Sequence, residues 1–257
     1  MERLLTVDKF KALQDRLSAG GKSGLPTIVI PASTCAQASG ANDLVRIAKR
    51  EIIEKNLTEK VRLRITGCHG FCQMEPNVLI EPKGTFYPRV NTEKMARIVD
   101  AVANDTVDQE LLYRNPDTLE PVESAKDIPF FKKQVRTLIG QNEKVDPIRI
   151  YNYIENHGYS ALAQALDGMK PGQVIEQVKK SGLRGRGGGG FPTGLKWEML
   201  AGSRNGRGKY LVCNADEGDP GAYMDRAVLE GNPHSIIEGM IIGAYATGAT
   251  EGVIYVR

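Results

Sequence analysis

Gly182–Trp197 reads GLRGRGGGGFPTGLKW, and Cys213–Tyr223 reads CNADEGDPGAY. Glycine at that density lets backbone N–H groups approach an anion with no Cβ in the way. Arg184, Arg186 and Lys196 carry the charge that a phosphate requires. Asn214, Asp216, Glu217 and Asp219 add an amide and three carboxylates, suited to a polar ring or a ribose. Together the two stretches read as the site of a phosphate-bearing cofactor, not as a linker. A non-redox P-loop is disfavoured, because no Gly-Lys-Ser/Thr follows the glycines.

Working outward, an α/β pattern surrounds both stretches. Lys209–Cys213 reads as a strand entering the acidic loop, and Gly194–Ala201 as a helix leaving the glycine loop. Tyr151–Ala165 and Pro171–Ser181 read as helices ahead of it. His234–Thr247 reads as a small-residue-rich helix and Gly252–Arg257 as an apolar strand. Nearer the N-terminus, TIVIP at Thr27–Pro31 reads as a buried strand. Asn42–Lys55 has helical apolar spacing, and Val61, Leu63 and Ile65 alternate along a second strand. NVLIEP and TFYPRV flank a Lys83-Gly84 turn as a hairpin, followed by a helix over Thr92–Asn104 capped by Asn91 or Thr92. This β-α-β-β-α order predicts a thioredoxin-like α/β domain. The expected organisation is an N-terminal helical lead over 1–25, the thioredoxin-like domain over 26–104, a connecting arm over 105–147, and a cofactor-binding α/β domain over 148–257.

Composition limits the alternatives. A chain of 257 residues accommodates two ordinary domains, and a net charge of +3 is too small to suggest nucleic acid or a membrane surface as partner. No apolar run reaches the length of a transmembrane helix. The start, MERLLTVDKFKALQDRL, is amphipathic with acidic residues, unlike a signal peptide. Four cysteines without a secretion signal point to a reducing, cytoplasmic setting and to metal or packing roles. Cys35 follows one strand; Cys68 and Cys72, in TGCHGFC, follow another. Strand ends with glycine-rich loops suit thiolates around iron. A [2Fe–2S] cluster needs four ligands, and this region has three cysteines. His69, a serine or a partner completes the cluster, or the fold survives as a scaffold that has lost a ligand.

Gly182–Trp197 and Cys213–Asp225 resemble the NADH-binding flavoprotein subunit of complex I, the 51 kDa type. The resemblance extends to its relatives in soluble NAD(P)-linked hydrogenases and formate dehydrogenases. The N-terminal part resembles the thioredoxin-like [2Fe–2S] ferredoxin domain that precedes the core in the soluble relatives. LLYRNPDT and IPFFKKQ resemble the family's connection, so the likeness covers Pro26–Arg257. It implies FMN contacts from Gly185, Arg186, Gly187, Lys196, Asn214, Asp216 and Glu217. It places Phe191 on the nicotinamide side and Asp219 near the dinucleotide, and it leaves the chemistry to the cofactors, with Glu217 as an electrostatic tuner. The implied function is NADH or NADPH dehydrogenation: hydride to FMN, then single electrons to iron–sulfur centres of a larger complex. The implied partners are ferredoxin-type iron–sulfur subunits and a hydrogenase, formate dehydrogenase or complex I-like catalytic subunit. An electron-relay or scaffold subunit without its own NADH chemistry is the alternative.

The chain also departs from the family. Gly189 stands where the family has Ala, and Asp219 where it often has Glu. Ile30 and Pro31 occupy the place of an extra cysteine before Cys35. The family's core continues past position 257 with further FMN and dinucleotide contacts and a helical [4Fe–4S] domain. The 257-residue chain alone is therefore expected to bind FMN weakly and not to sustain NADH-dependent electron transfer.

Overall fold

The computed structural model describes residues 6–21, 24–204, 206 and 208–257; the ends of the expected helical lead, 1–5 and 22–23, lie outside the described residues. The chain divides into two compact units. The first contains Ala19–Asn152 and Ala227–Asn232, the second Tyr153–Arg226, Pro233–Arg257 and the N-terminal segment ending at Ser18. That segment carries most of helix α1 (Val7–Gly21).

The first unit is built on strand β1 (Thr27–Pro31), helices α2 (Thr34–Ala38) and α3 (Ala41–Glu54), strands β2 (Arg62–Thr66), β3 (Val78–Glu81) and β4 (Thr85–Tyr87), and helix α4 (Thr92–Ala103). The sheet order is β2-β1-β3-β4. β1 runs parallel to β2, from Thr27 opposite Arg62 to Pro31 opposite Thr66, while β3 is antiparallel to both β1 and β4. This is the expected thioredoxin-like arrangement. Every residue of β1 is buried, which explains why it reads as a continuous apolar run rather than an alternating one. Leu44, Ala48 and Ile52 of α3 and Met95, Ile98 and Val99 of α4 pack with Ile28, Ile30 and Val78 in one core. Gly84 turns the hairpin at φ +77°, a backbone region that favours glycine. Asn91 caps α4, its Oδ1 accepting from the Lys94 N–H at 2.9 Å, a bond worth about 1 kcal/mol.

The residues read as a connecting arm fold against this unit. Strands β5 (Tyr113–Arg114) and β6 (Pro121–Val122) pair antiparallel, and helix α5 (Pro129–Lys132) follows. Phe130 stacks on Phe71 at 4.1 Å between centroids, with Phe86, Phe131, Tyr113 and Ile128 around them. The weak periodicity of this stretch hid the packing, since its anchors are adjacent aromatics rather than a helical stripe.

The second unit contains α7 (Ser160–Gly168), α8 (Pro171–Lys180), α9 (Thr193–Gly202), β7 (Tyr210–Ala215), α11 (Pro233–Thr247) and β8 (Glu251–Val256). Helices α6 (Ile150–Glu155) and α10 (Met224–Gly231) stand where the chain passes between units. β7 and β8 pair in parallel, from Tyr210 opposite Glu251 to Ala215 opposite Val256. Ala165, Val174, Ile175 and Ala246 form the core, with Trp197 packed against it. One expectation fails here. Tyr151–Ala165 is not a single helix but α6 and α7, broken by left-handed residues at His157 (φ 66°) and Tyr159 (φ 60°). Between them Gly158 passes under the Tyr153 ring, where a Cβ would lie 2.0 Å from a ring carbon. Glu238 of α11 fixes the break: its carboxylate accepts from the Tyr159 N–H at 2.8 Å, the Leu162 N–H at 3.1 Å and the Tyr153 hydroxyl at 2.6 Å. Burial, then the Glu238 carboxylate, pushes the Tyr153 phenol well above its usual pKa. Among the described residues, no helix is long and apolar enough to cross a membrane.

Candidate functional site

The glycine loop is closed at its base. The Gly185 N–H donates to the Phe191 carbonyl and the Thr193 N–H to the Leu183 carbonyl, each at 2.9 Å. Within the loop, Gly188 (φ +98°) and Gly190 (φ +59°) take backbone that other residues avoid. Gly187 and Gly189 do not, and a Cβ on either would meet no atom within 4 Å. Neither strain nor internal packing asks for glycine at those two positions. Bare, exposed backbone is what a bound phosphate asks for.

The cations divide by task. Arg184 Nη1 donates to the Gly190 carbonyl at 3.1 Å, so this guanidinium braces the loop instead of standing ready for a phosphate. Arg186 pairs with no carboxylate among the described residues. Lys196, in the first turn of α9, lies 5.9 Å from the Phe191 ring centroid, which brings together two residues that the sequence assigned to neighbouring cofactors. Gly194 has a separate role that sequence reading missed. A Cβ there would lie 2.7 Å from the Lys179 backbone nitrogen, so it allows α9 to approach α8. Nothing in the sequence distinguishes that glycine from its neighbours.

The acidic loop leaves β7 after Ala215 and turns on itself. The Asp216 N–H donates to Asn214 Oδ1 at 3.3 Å, and the Ala222 N–H to the Asp219 carbonyl at 3.1 Å. Glu217 accepts from the backbone N–H groups of Asp225 at 2.9 Å and Arg226 at 3.1 Å, in the first turn of α10. Burial raises its pKa, but the N–H groups of Asp225, Arg226 and Met224 outweigh this and hold it below the usual range. Both Glu217 oxygens are thus engaged with the chain itself. Arg257 Nη1 lies 2.6 Å from where a Gly218 Cβ would stand, which places a guanidinium beside the carboxylates of this loop.

The three N-terminal thiols come together at the strand ends. Burial pushes the Cys72 thiol up to about 11, followed by the charges of Cys68 and Cys35, and Cys35 shares a hydrogen bond with it. The Cys68 thiol is also raised, by burial first; the Gly70 N–H, at 3.2 Å from its sulfur, and the Ser33 hydroxyl work against this. Asn142 Nδ2 donates to the Cys68 carbonyl at 3.1 Å, and a Cβ on Gly67 would lie 2.1 Å from the Gly231 Cα. The loop carrying Cys68 is therefore fixed by close backbone approach.

His69 is buried and tied through one ring nitrogen to Thr66. It is 2% exposed, its Nε2 is 2.8 Å from Thr66 Oγ1, and burial followed by the Arg136 charge lowers its pKa to about 3. Glu75 is the residue that sequence reading missed. It is 9% exposed, burial pushes it up to about 7, and its Oε1 has no hydrogen-bond partner. An unpartnered buried oxygen of this kind costs about 1–3 kcal/mol, so its presence calls for a reason. Among the described residues, no three His, Cys, Asp or Glu side chains are arranged to hold a single metal ion. A [2Fe–2S] cluster spreads four donors over two irons, and three grouped thiols beside an orphaned carboxyl oxygen fit that demand.

Comparison with known proteins finds similarity over part of the chain. Residues 178–257 match the Complex1_51K family, the Nuo51 FMN-binding domain. The NADP-reducing hydrogenase subunit HndC of Solidesulfovibrio fructosivorans is 55% identical over 126 residues, 49% of this chain and 25% of that protein. A NADH-quinone oxidoreductase subunit of Escherichia coli (strain K12) is 44% identical over 111 residues, 43% of this chain and 25% of that one. The chain thus spans about a quarter of the length of these curated relatives. Among solved structures, an NAD+-reducing [NiFe]-hydrogenase aligns with 98% of this chain and 43% of its own, at 20% identity and a TM-score of 0.37. The thioredoxin-like [2Fe–2S] ferredoxin from Aquifex aeolicus aligns with 34% of this chain and 94% of its own, at 18% identity and a TM-score of 0.32.

Proposed function

We propose that this chain is the cofactor-binding part of a NAD(P)H dehydrogenase flavoprotein subunit, which passes reducing equivalents from NADH or NADPH towards iron–sulfur centres of a larger redox assembly. The observation that carries this reading is the exposed glycine loop, with Arg186 unengaged and Lys196 beside Phe191, inside the segment that matches an FMN-binding family. FMN, when bound, supplies hydride acceptance from a reduced nicotinamide and one-electron release. The chain's own groups bind and orient. The backbone N–H of Gly187, with the charges of Arg186 and Lys196, holds the phosphate, while Gly185, its own N–H taken by the Phe191 carbonyl, closes the base of the loop with no side chain in the way. Phe191 gives the nicotinamide side an apolar face that excludes water. Asn214 and Asp216 hydrogen-bond the flavin, Asp219 the dinucleotide, and Glu217 holds their loop on the N-terminus of α10 while tuning the local potential. Cys35, Cys68 and Cys72 hold a [2Fe–2S] cluster.

The assembly includes ferredoxin-type iron–sulfur subunits and a hydrogenase, formate dehydrogenase or complex I-like catalytic subunit, and the setting is cytoplasmic. The test is to load the chain with FMN, add NADH or NADPH anaerobically and follow the flavin absorbance. Bleaching by a reduced nicotinamide is the expected result in a version extended to the family's full length, with little bleaching in the 257-residue chain alone. Flavin that binds and stays oxidised in the extended version would favour the electron-relay alternative.

A further inference from the structure

We propose that the Glu75 carboxylate is the fourth ligand of the iron–sulfur centre held by Cys35, Cys68 and Cys72, giving a site of three thiolates and one oxygen donor. This rests on the cluster reading above and names the ligand that completes it. Cys72 opens the 3-10 turn Cys72–Met74, and Glu75 is the residue that closes it. In such a turn, side chains three residues apart eclipse, so Cys72 and Glu75 leave the chain on one side. The charge of Glu75 acts on both the Cys68 and the Cys72 sulfurs.

The side chain is also held in place. Glu75 Oε2 accepts from the Asn77 N–H at 3.2 Å, and the Asn77 side chain also acts on the carboxylate, while Oε1 is buried and makes no hydrogen bond of its own. One oxygen is anchored and the other is left for a group that the protein does not itself provide. His69 is committed to Thr66 through Nε2. The Ser33 hydroxyl, beside the Cys68 thiol, is also buried without a hydrogen-bond partner, but of the two oxygens only the Glu75 carboxylate brings the negative charge that iron favours. Metal ligation requires the carboxylate deprotonated, and bound iron would supply the positive charge that offsets its burial.

The test is anaerobic reconstitution of the 257-residue chain with ferrous iron and sulfide. Iron, acid-labile sulfide, visible absorption and EPR of the reduced centre are then measured, and thermal melts confirm folding. Glu75→Gln should lower iron and sulfide retention at least about ten-fold, the low end of what even outer-shell losses do to metal affinity. Glu75→Cys should keep both and shift the absorption and EPR spectra to those of an all-thiolate centre. Ser33→Ala should retain the wild-type centre. A Glu75→Gln chain with wild-type iron, sulfide and spectra would overturn the assignment, as would loss of the centre in Ser33→Ala alone. Should Glu75→Gln fail to fold, an unchanged spectrum in Glu75→Cys overturns it. A folded wild-type chain that takes up no iron would remove the cluster reading and this ligand together.

Discussion

The cysteine loops and the glycine loop contain similar raw material, short glycine-bearing turns at the ends of strands or helices, yet they are made in opposite ways. Around Cys68 and Glu75, packing decides everything. Backbone approaches backbone at Gly67, aromatic rings stack under Phe71, and burial raises the thiol and carboxyl pKa values. Around Gly187, packing decides nothing; the backbone is exposed and no neighbour constrains a Cβ. A site of the first kind is part of the core, so damage to it appears as lost stability. A site of the second kind is held by local turns, so damage appears as lost ligand affinity.

The sharpest way to break this contrast is Phe71→Ala. Removing a 4% exposed ring that stacks on Phe130 should cost the first unit about 3–5 kcal/mol, read by denaturant unfolding. Unchanged stability would mean that the cysteine region does not depend on its packing. Next comes Gly194→Ala, whose Cβ would press on the Lys179 backbone; overpacking of this kind should cost about 1–3 kcal/mol.

A smaller effect sharpens the second unit. Burial holds the His234 imidazole below its usual pKa, and its Nδ1 lies 2.9 Å from the Tyr159 hydroxyl. The unfolded chain therefore binds a proton before the folded one does. Stability attributed to this group is present above the unfolded histidine pKa and is lost as pH falls below it. His234→Gln should flatten that slope in melts taken across the acidic range. The smallest stability effect belongs to Gly187→Ala, within about 0.5 kcal/mol of wild type. If the loop cradles a phosphate, that same variant should bind FMN more weakly, and an unaltered affinity would separate Gly187 from the site.

Most of the frame was legible in the sequence because it is periodic. The buried run of β1, the alternation along β2 and the spacing of α3 and α4 each answer to one physical rule, and the hairpin is punctuated by its glycine. What escaped depends on pairs far apart in the chain. The break between α6 and α7 is fixed by Glu238, and the close packing of α9 on α8 by Gly194 meeting Lys179. At the sites, residue types pointed to the loops but not to the division of labour within them. Arg184 looks identical to Arg186 until Gly190 is seen accepting from it, and His69 looks like a ligand until Thr66 is seen beside it. Glu75 carries no local signal, because its significance lies in a missing partner.

The most direct test of the phosphate site compares FMN with riboflavin, which is the same ring system without the phosphate. Affinities of the 257-residue chain for both would be measured by fluorescence titration, for wild type and for Arg186→Ala. The expected result is FMN bound at least about ten-fold more tightly than riboflavin, with the gap narrowing in Arg186→Ala by about 1.5–3 kcal/mol, the range for a hydrogen bond to a charged group. Equal affinity for the two flavins, or a gap that Arg186→Ala leaves untouched, would contradict the assignment of the glycine loop to an FMN phosphate.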